Sequence, residues 1–245
     1  MAVMVTETVG KALQRFKQQL SRETMTKASD DLSNEEVFQQ HWRLLGMCAN
    51  DALKGQFKSF KVDDNNREIL RFLLYYFNGC QKAEEIFPDK EYKCSNNLLL
   101  CGEVGVGKTL IMQIFSKYLE ITSNPRAFKN LSVTQMINYY KINNNIDRYT
   151  FNEEGSNRFE GNPYNICLND IGLQTHQYFG TDTKVMVCEF LYARNDIWQQ
   201  QGKFAHITTN LSPKELKAYF NDGYGRIIDR FKSYNVIHLK GNSRR

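Results

Sequence analysis

Residues 102–109 read Gly-Glu-Val-Gly-Val-Gly-Lys-Thr, which matches the phosphate-binding pattern G-x-x-x-x-G-K-[ST]. Glycines there let backbone N–H groups turn inward around phosphate oxygens, where side chains would block the approach. Lys108 is expected to face solvent until it reaches the β- and γ-phosphates, and the Thr109 hydroxyl is expected to lie on Mg²⁺. The predicted nucleotide-binding residues of the loop are Gly102, Gly105, Val106, Gly107, Lys108, Thr109 and Leu110.

Further polar side chains come later in the chain, where apolar runs end. Asn169 and Asp170 follow one such run, and Asn210 follows the next. Groups that hold Mg²⁺ or orient an attacking water belong at the ends of parallel strands beside a phosphate loop. Arg226 and Arg230 then lie four residues apart, on one face of a predicted helix. Considered one at a time, each of these polar residues could instead be a turn residue or part of a solvated helix face.

The segments on both sides of the loop suit a phosphate site. An apolar run at 98–101 precedes it and is typical of a buried strand, which argues against a glycine-rich turn that matches by chance. The apolar residues that follow recur at helical spacing: Ile111, Ile114, Phe115 and Tyr118. From residue 97 onward predicted strands alternate with helices, which indicates an α/β fold with a parallel sheet flanked by helices.

Elements outside the loop can be predicted from periodicity and capping residues. Further strands are predicted at 127–133, 166–168, 204–209 and 236–239, and helices through Met136, at 183–201, after Ser212 and at 225–231. Upstream, Ser33 and Glu36 fit a capping box, and Asp64 is a candidate N-cap for the next helix. We predict a small helical N-terminal segment at 1–60 and a sheet domain at 61–245.

Composition narrows the class of protein. The chain has 245 residues, of which 41% are hydrophobic and 24% charged, as in one globular domain with a small helical extension. No apolar stretch approaches the length of a membrane span, and residues 1–10 lack the layout of a secretory signal. The six cysteines contain no C-x-x-C pair, so we expect reduced thiols rather than a metal site. A net charge of +5 permits contact with nucleic acid without requiring it.

The order of these motifs resembles the DnaC/IstB-like branch of the AAA+ ATPases, the helicase loaders and transposition ATPases. The matching pieces lie at 98–109, 166–172, 207–213, 224–231 and 239–245. The resemblance implies an AAA+ P-loop NTPase fold, with ATP and Mg²⁺ as ligands and ATP hydrolysis as the activity. By the same resemblance, Asp170 matches the catalytic acid of the Walker B strand and Asn210 the sensor-1 amide. Arg230, or as an alternative Arg226, matches the arginine finger.

The C-terminal Arg245 resembles a sensor-2-type arginine, whereas the Walker B strand departs from the family pattern. That strand usually ends in two acids, and here the first is Asn169. An amide near the metal brings no negative charge, so nucleotide binding is expected to survive and hydrolysis to be slow. In the other register Asp170 is the metal acid beside Thr109, but no acid follows because residue 171 is Ile. Both registers stay open.

The resemblance also implies partners. The leading expectation is a cytoplasmic homo-oligomer in DNA replication, with ATP at subunit interfaces, that binds a replicative helicase through residues 1–60 and also single-stranded DNA. One alternative is a transposition helper that acts with a transposase on duplex DNA. Another is an ATP-binding regulatory protein with weak hydrolysis. The aromatic and basic residues between Tyr139 and Phe159 are either single-strand contacts or an exposed loop.

Overall fold

The computed structural model of the protein describes residues 31–155, 161–172, 177–178, 181–221 and 223–244. Arg245 and the first half of the predicted N-terminal segment lie outside the described residues. The helices are α1 (Glu35–Leu53), α2 (Arg67–Phe77), α3 (Lys82–Ile86), α4 (Lys108–Ile121), α5 (Val133–Asn143), α6 (Thr183–Gln201), α7 (Pro213–Tyr219) and α8 (Arg226–Arg230). The strands are β1 (Asn97–Gly102), β2 (Lys129–Ser132), β3 (Ile166–Ile171), β4 (Gln177–Tyr178), β5 (Thr181–Asp182), β6 (Ala205–Thr209) and β7 (Tyr234–Leu239).

Five of these strands form one parallel sheet in the order β2-β3-β6-β1-β7, and β4 and β5 form a separate antiparallel pair. Strand β1 lies between β6 and β7, where Leu99 is aligned with Ile207 on one side and Val236 on the other. Every residue of β1 is buried, as its continuous apolar run predicts for a central parallel strand. The carboxyl ends of β1, β3 and β6 therefore meet at one edge, where the phosphate loop leaves β1.

Alternation along the strands divides the core between the two faces of the sheet. Leu98 and Leu100 pack with α1, α2 and α4 on one face. Leu99, Leu168 and Ile207 pack with α5 and α6 on the other. The predicted class, a parallel α/β sheet flanked by helices and preceded by a helical segment, is confirmed. No helix in the described ranges is long and apolar enough to cross a membrane.

Two predicted helix starts were wrong by one or two residues. Helix α1 is capped by Asn34 rather than Ser33, because the Asn34 Oδ1 accepts the backbone N–H groups of Glu36 at 2.8 Å and Val37 at 3.4 Å. Asn and Ser are equally good N-caps, so the pattern alone does not rank them. The residue before α2 is Asn66 rather than Asp64. The helix predicted after Ser212 is confirmed, and Ser212 forms a capping box with Glu215 at its start.

Helix α1 packs against α4, the helix that follows the phosphate loop. Lys117 of α4 forms an ion pair with Asp51, and the Tyr118 hydroxyl lies 2.5 Å from the His41 Nδ1. The buried contact between His41 and Tyr118 joins α1 to the core that packs on the sheet, whereas the Lys117–Asp51 ion pair lies at the surface. The domain boundary at 60/61 stays a prediction, since this packing joins the helix to the domain without showing how residues 1–30 are used.

Candidate nucleotide site

The phosphate loop runs from the end of β1 to the start of α4 and is shaped by glycines. Gly105 and Gly107 have φ angles of 85° and 103°, a left-handed region that residues with a Cβ rarely adopt. Gly107 is also the N-cap of α4. The first N–H groups of α4 have no partner within the helix, and the helix dipole adds positive charge there. The loop therefore presents backbone donors suited to an anion.

Lys108 lies inside this loop and is only 3% exposed, so the expectation that it faces solvent was wrong. Its ammonium donates to the carbonyl oxygens of Gly102 at 2.7 Å and Glu103 at 2.8 Å, and to the Asn210 Oδ1 at 2.7 Å. A charged group at this depth requires oxygen partners, and the loop supplies them. The predicted sensor amide, Asn210, is thereby brought from β6 into direct contact with the loop lysine.

Asp170 is placed beside the loop threonine. The Thr109 Oγ1 lies 3.4 and 3.5 Å from the two carboxylate oxygens of Asp170. Asp170 has a φ of 62°, and the register between β3 and β6 shifts between Leu168 and Ile171. A hydroxyl and a carboxylate are oxygen ligands of the kind that Mg²⁺ prefers, so this pair fits a magnesium ion held mainly by nucleotide phosphates. The geometry favours the register in which Asp170 is the metal acid.

Asn169 is the predicted site residue whose contacts disagree with its assigned role. It is 3% exposed, and its Nδ2 donates to the Asn130 Oδ1 at 3.2 Å and the Leu131 carbonyl at 3.4 Å. Its Oδ1 accepts the Thr208 hydroxyl at 3.3 Å. These partners belong to β2 and β6, and Asn169 is not among the residues that line the cavity at the loop. Its predicted place among the cofactor-binding residues is therefore not supported by its contacts.

A cavity of about 1360 Å³ opens at the loop. Asp170 and Asn210 line it, together with the 53–66 connection and the 242–244 tail. No motif marks the 53–66 connection, and the resemblance at 239–245 singled out Arg245 rather than the residues at 242–244 that line the cavity. Phe57, in the connection, is 99% exposed and has a φ of 54°. Neither property can be recognised from the sequence.

The tail crosses the loop and is held at both ends of its contact. The Arg244 N–H donates to the Gly105 carbonyl at 2.9 Å, and its Nη2 lies 2.8 Å from an Asp63 carboxylate oxygen. The hydrogen bond from Arg244 keeps the pKa of Asp63 below its usual value. The sensor-2-type arginine that the resemblance implied, Arg245, lies outside the described residues, so its role stays a prediction. Asp63 and Arg244 thus tie the connection to the tail across the loop.

Replacing Gly105 by alanine is expected to displace this tail. A Cβ on Gly105 would lie 2.3 Å from the Ser243 Oγ, whereas one on Gly202 would meet nothing within 4 Å. Both glycines have positive φ, so Gly202→Ala is a matched control for backbone strain of about 1–2 kcal/mol. We expect Gly105→Ala to lower Tm more than Gly202→Ala and to weaken ATP binding in a fluorescence titration. Equal Tm losses with normal ATP affinity would contradict the close packing of the tail.

The two candidate finger arginines lie away from this cavity. The Arg230 guanidinium is 4.5 Å from the centre of the Tyr192 ring, and its Nη1 donates to the Arg226 carbonyl at 3.2 Å. The buried Arg230 Nε has no hydrogen-bond partner among the described residues. Arg226 is exposed, 4.9 Å from the Tyr224 ring. Neither arginine lines the cavity of its own chain, so their finger role stays a prediction.

No family model matches the chain, and no curated protein matches its sequence. Among solved structures it is similar to a candidate primosome component from Streptococcus pyogenes serotype M3, at 18% identity over 75% of this chain and 84% of that one, with a TM-score of 0.48. It is also similar to the DnaC helicase loader, at 15% identity over 74% and 93% of the two chains, with a TM-score of 0.48. AMPPCP-bound DnaA from Aquifex aeolicus has 15% identity over 75% of this chain and 50% of its own, with a TM-score of 0.46.

The phosphate loop between β1 and α4, the parallel strand order and the polar side chains at the sheet edge agree with the fold that the motifs predict. The chain is an α/β protein with a five-stranded parallel sheet and a P-loop between β1 and α4.

Proposed function

We propose that the protein binds ATP with Mg²⁺ in the cavity at residues 102–109 and hydrolyses it. The observation that carries the proposal is the meeting of Lys108, Thr109, Asp170 and Asn210 at one edge of the sheet, at the start of α4. These residues come from three separate parts of the chain. A phosphoryl-transfer site needs a cation for the phosphates, ligands for the metal and a polar group near the attacking water, and this set contains each type.

Each residue has a distinct task in this proposal. Lys108 would exchange its contacts with Gly102 and Glu103 for contacts with phosphate oxygens. Its hydrogen bond to Asn210 would keep the ammonium group oriented toward them. Thr109 and Asp170 would hold Mg²⁺, which when bound neutralises charge on the phosphates and lowers the barrier to attack. The aromatic and aliphatic side chains of the 53–66 connection would then face the base, because the phosphates occupy the loop end of the cavity.

Replacing Asp170 by asparagine tests the metal role. We expect Mg²⁺-dependent hydrolysis to fall sharply, since the neutral side chain no longer offers an anionic oxygen beside Thr109. The measurement is steady-state phosphate release over a series of Mg²⁺ concentrations, together with a titration of a fluorescent ATP analogue. Asp182→Asn, which changes an acid that caps α6, is the control. Unchanged hydrolysis in Asp170→Asn would remove this residue from the metal site.

For the cellular role we propose a cytoplasmic AAA+ ATPase of DNA replication that loads a replicative helicase and assembles as a homo-oligomer around ATP. The sequence resemblance supports it, as does the position of Arg226 and Arg230 outside their own cavity, where an interface role is open to them. The proposed helicase-binding module stays residues 1–60. A pull-down of the native protein separates this proposal from the transposition helper, which would bring a transposase instead of a helicase.

Single-stranded DNA is the proposed nucleic-acid partner. The Tyr139 and Tyr149 rings meet edge to face at 5.0 Å, and the Arg148 guanidinium lies 5.9 Å from the Tyr139 ring. Aromatic faces and a cation in one cluster suit stacked bases and their phosphates. Stimulation of ATP hydrolysis by single-stranded but not duplex DNA would support the loader, and the reverse would favour the transposition helper.

A second candidate is an ATP-binding regulator that scarcely hydrolyses. The observation in its favour is that Asp170 is followed by Ile171, which is buried at 1% exposure, so no second acid follows it to polarise water. Tight ATP binding combined with negligible phosphate release, with and without DNA, would establish this alternative and overturn the ATPase.

A further inference from the structure

A run of buried polar side chains crosses the sheet just behind the proposed metal site. The Asp170 backbone N–H donates to the Thr208 Oγ1 at 2.9 Å, and the Thr208 hydroxyl lies 3.3 Å from the Asn169 Oδ1. The Asn169 amide nitrogen continues to the Leu131 carbonyl at 3.4 Å and the Asn130 Oδ1 at 3.2 Å. Strands β2, β3 and β6 are joined in this way by side chains as well as by their backbones.

Donor and acceptor roles in this run are fixed by elementary chemistry. Thr208 accepts from a backbone N–H, so its single hydroxyl proton is available for the Asn169 oxygen. The amide nitrogen of Asn169 is then the group directed at the Leu131 carbonyl, which can only accept. Thr208 is fully buried and Asn169 is 3% exposed, so solvent cannot replace a lost partner. An amide satisfies both ends, whereas an ionised carboxylate would put an acceptor against an acceptor.

The run ends at a residue whose backbone is unusual. Asp170 has a φ of 62° at the point where the pairing of β3 and β6 changes register, and its N–H is held there by a side chain rather than by the regular ladder. That backbone conformation determines where the carboxylate lies relative to Thr109. Contacts that fix the conformation therefore fix the position of the carboxylate.

We propose that Asn169 and Thr208 are positioning residues that hold the Asp170 carboxylate over Thr109, and that the site requires the Asn169 amide rather than tolerating it in place of an acid. The proposal rests on the proposed ATP hydrolysis. This proposal reverses the expectation from the sequence, in which the amide of Asn169 lacks a negative charge and therefore slows hydrolysis. Asn169 acts through Thr208 and the Asp170 backbone, without contact to nucleotide or metal.

The test compares Thr208→Val with Thr208→Ser. Valine keeps the shape and removes the hydroxyl, whereas serine keeps the hydroxyl. We expect Thr208→Val to lower kcat by about 10²-fold, as small misplacements of a reacting group do, and to raise the Mg²⁺ concentration at half-maximal rate. Affinity for ATP measured without Mg²⁺ should change little, and Thr208→Ser should restore the rate and the Mg²⁺ dependence.

A second variant with its own control decides whether an acid at position 169 raises or lowers hydrolysis. Asn169→Asp is expected to lower hydrolysis, because a buried carboxylate faces the Leu131 carbonyl. A rise in hydrolysis would mean that the position wants an acid, and would overturn the proposal. Thr150→Val, which removes another buried hydroxyl outside this run, controls for loss of stability through its Tm.

The outcomes separate this inference from the proposed function. If the wild-type protein shows no Mg²⁺-dependent phosphate release, the proposed ATPase fails first. If the wild type hydrolyses ATP and Thr208→Val matches it in both kcat and Mg²⁺ dependence, the positioning role is wrong while the ATPase stands. If Thr208→Val does not fold, Asn169→Asp and Thr208→Ser still decide the question, because a loss of rate in the first and a normal Mg²⁺ dependence in the second are both required.

Discussion

Lys108→Ala is expected to weaken ATP binding by roughly 10- to 150-fold, since a hydrogen bond to a charged group contributes about 1.5–3 kcal/mol and at least one such contact with phosphate is lost. Lys108 is the only cationic side chain in the 102–109 loop. The same ammonium donates hydrogen bonds to Gly102, Glu103 and Asn210, so a moderate loss of stability should accompany the loss of affinity.

Binding and folding are separated by measuring both. Isothermal titration gives the affinity, and thermal unfolding gives Tm. Lys117→Ala is the matched control, because it removes another lysine from the same helix. The ion pair of Lys117 with Asp51 lies at the surface and contributes little to stability. Wild-type affinity in Lys108→Ala, at a Tm that shows a folded protein, would remove the loop from the binding site.

Arg230→Ala is expected to lower ATP turnover by about 10³-fold or more while ATP affinity stays normal, because an arginine finger acts on transition-state charge. The arginine would be supplied to a neighbouring subunit, so turnover per subunit should rise with protein concentration. Arg226→Ala, in the same helix, shows which of the two arginines has this role. The opposing interpretation is that Arg230 only packs on the Tyr192 ring and has no role in hydrolysis.

Mixing variants tests action between subunits directly. Arg230→Ala subunits keep an intact phosphate loop, and Lys108→Ala subunits keep the finger. A mixture should therefore recover part of the activity that neither has alone, because an interface between them can hold one intact site. Near-normal turnover in Arg230→Ala, with no gain on mixing it with Lys108→Ala, would leave an ATP-binding protein without the AAA+ mechanism.

The parts of the fold that the sequence predicts well are those set by local pattern. The phosphate loop needs glycines at particular positions, and the apolar run before it has to be a central strand because both of its faces are covered. Helix α6 was predicted at its observed bounds, Thr183–Gln201, since its apolar residues and its caps agree. In these elements propensity, periodicity and tertiary packing favour the same structure.

Whether Asn169 or Asp170 is the residue beside the metal could not be predicted from the sequence, because the answer depends on a contact with another strand. A regular β3 would give the two side chains opposite faces, but the irregularity between Leu168 and Ile171 redirects Asp170. Thr208 stabilises that irregularity from β6, about forty positions later in the chain. One strand considered alone gives no sign of this contact, so the sequence leaves both assignments open, and the Thr109–Asp170 geometry favours Asp170 as the metal acid.

The same limit applies to the cavity wall. The family resemblance implies a sensor-2-type arginine at Arg245, which lies outside the described residues, whereas the described arginine that contacts the loop is Arg244. The Arg244 guanidinium meets Asp63, an acid that no motif marks. Long-range ion pairs of this kind join segments that are unrelated in sequence, so only the folded chain shows them.

The hold of the tail on the loop also bears on how the protein is prepared for experiments. Arg244 bonds to the Gly105 carbonyl, so a purification tag or fluorescent protein fused after residue 245 would begin beside the opening of the nucleotide cavity. Such a fusion would compete with nucleotide for space and depress measured affinities for reasons unrelated to the native chain.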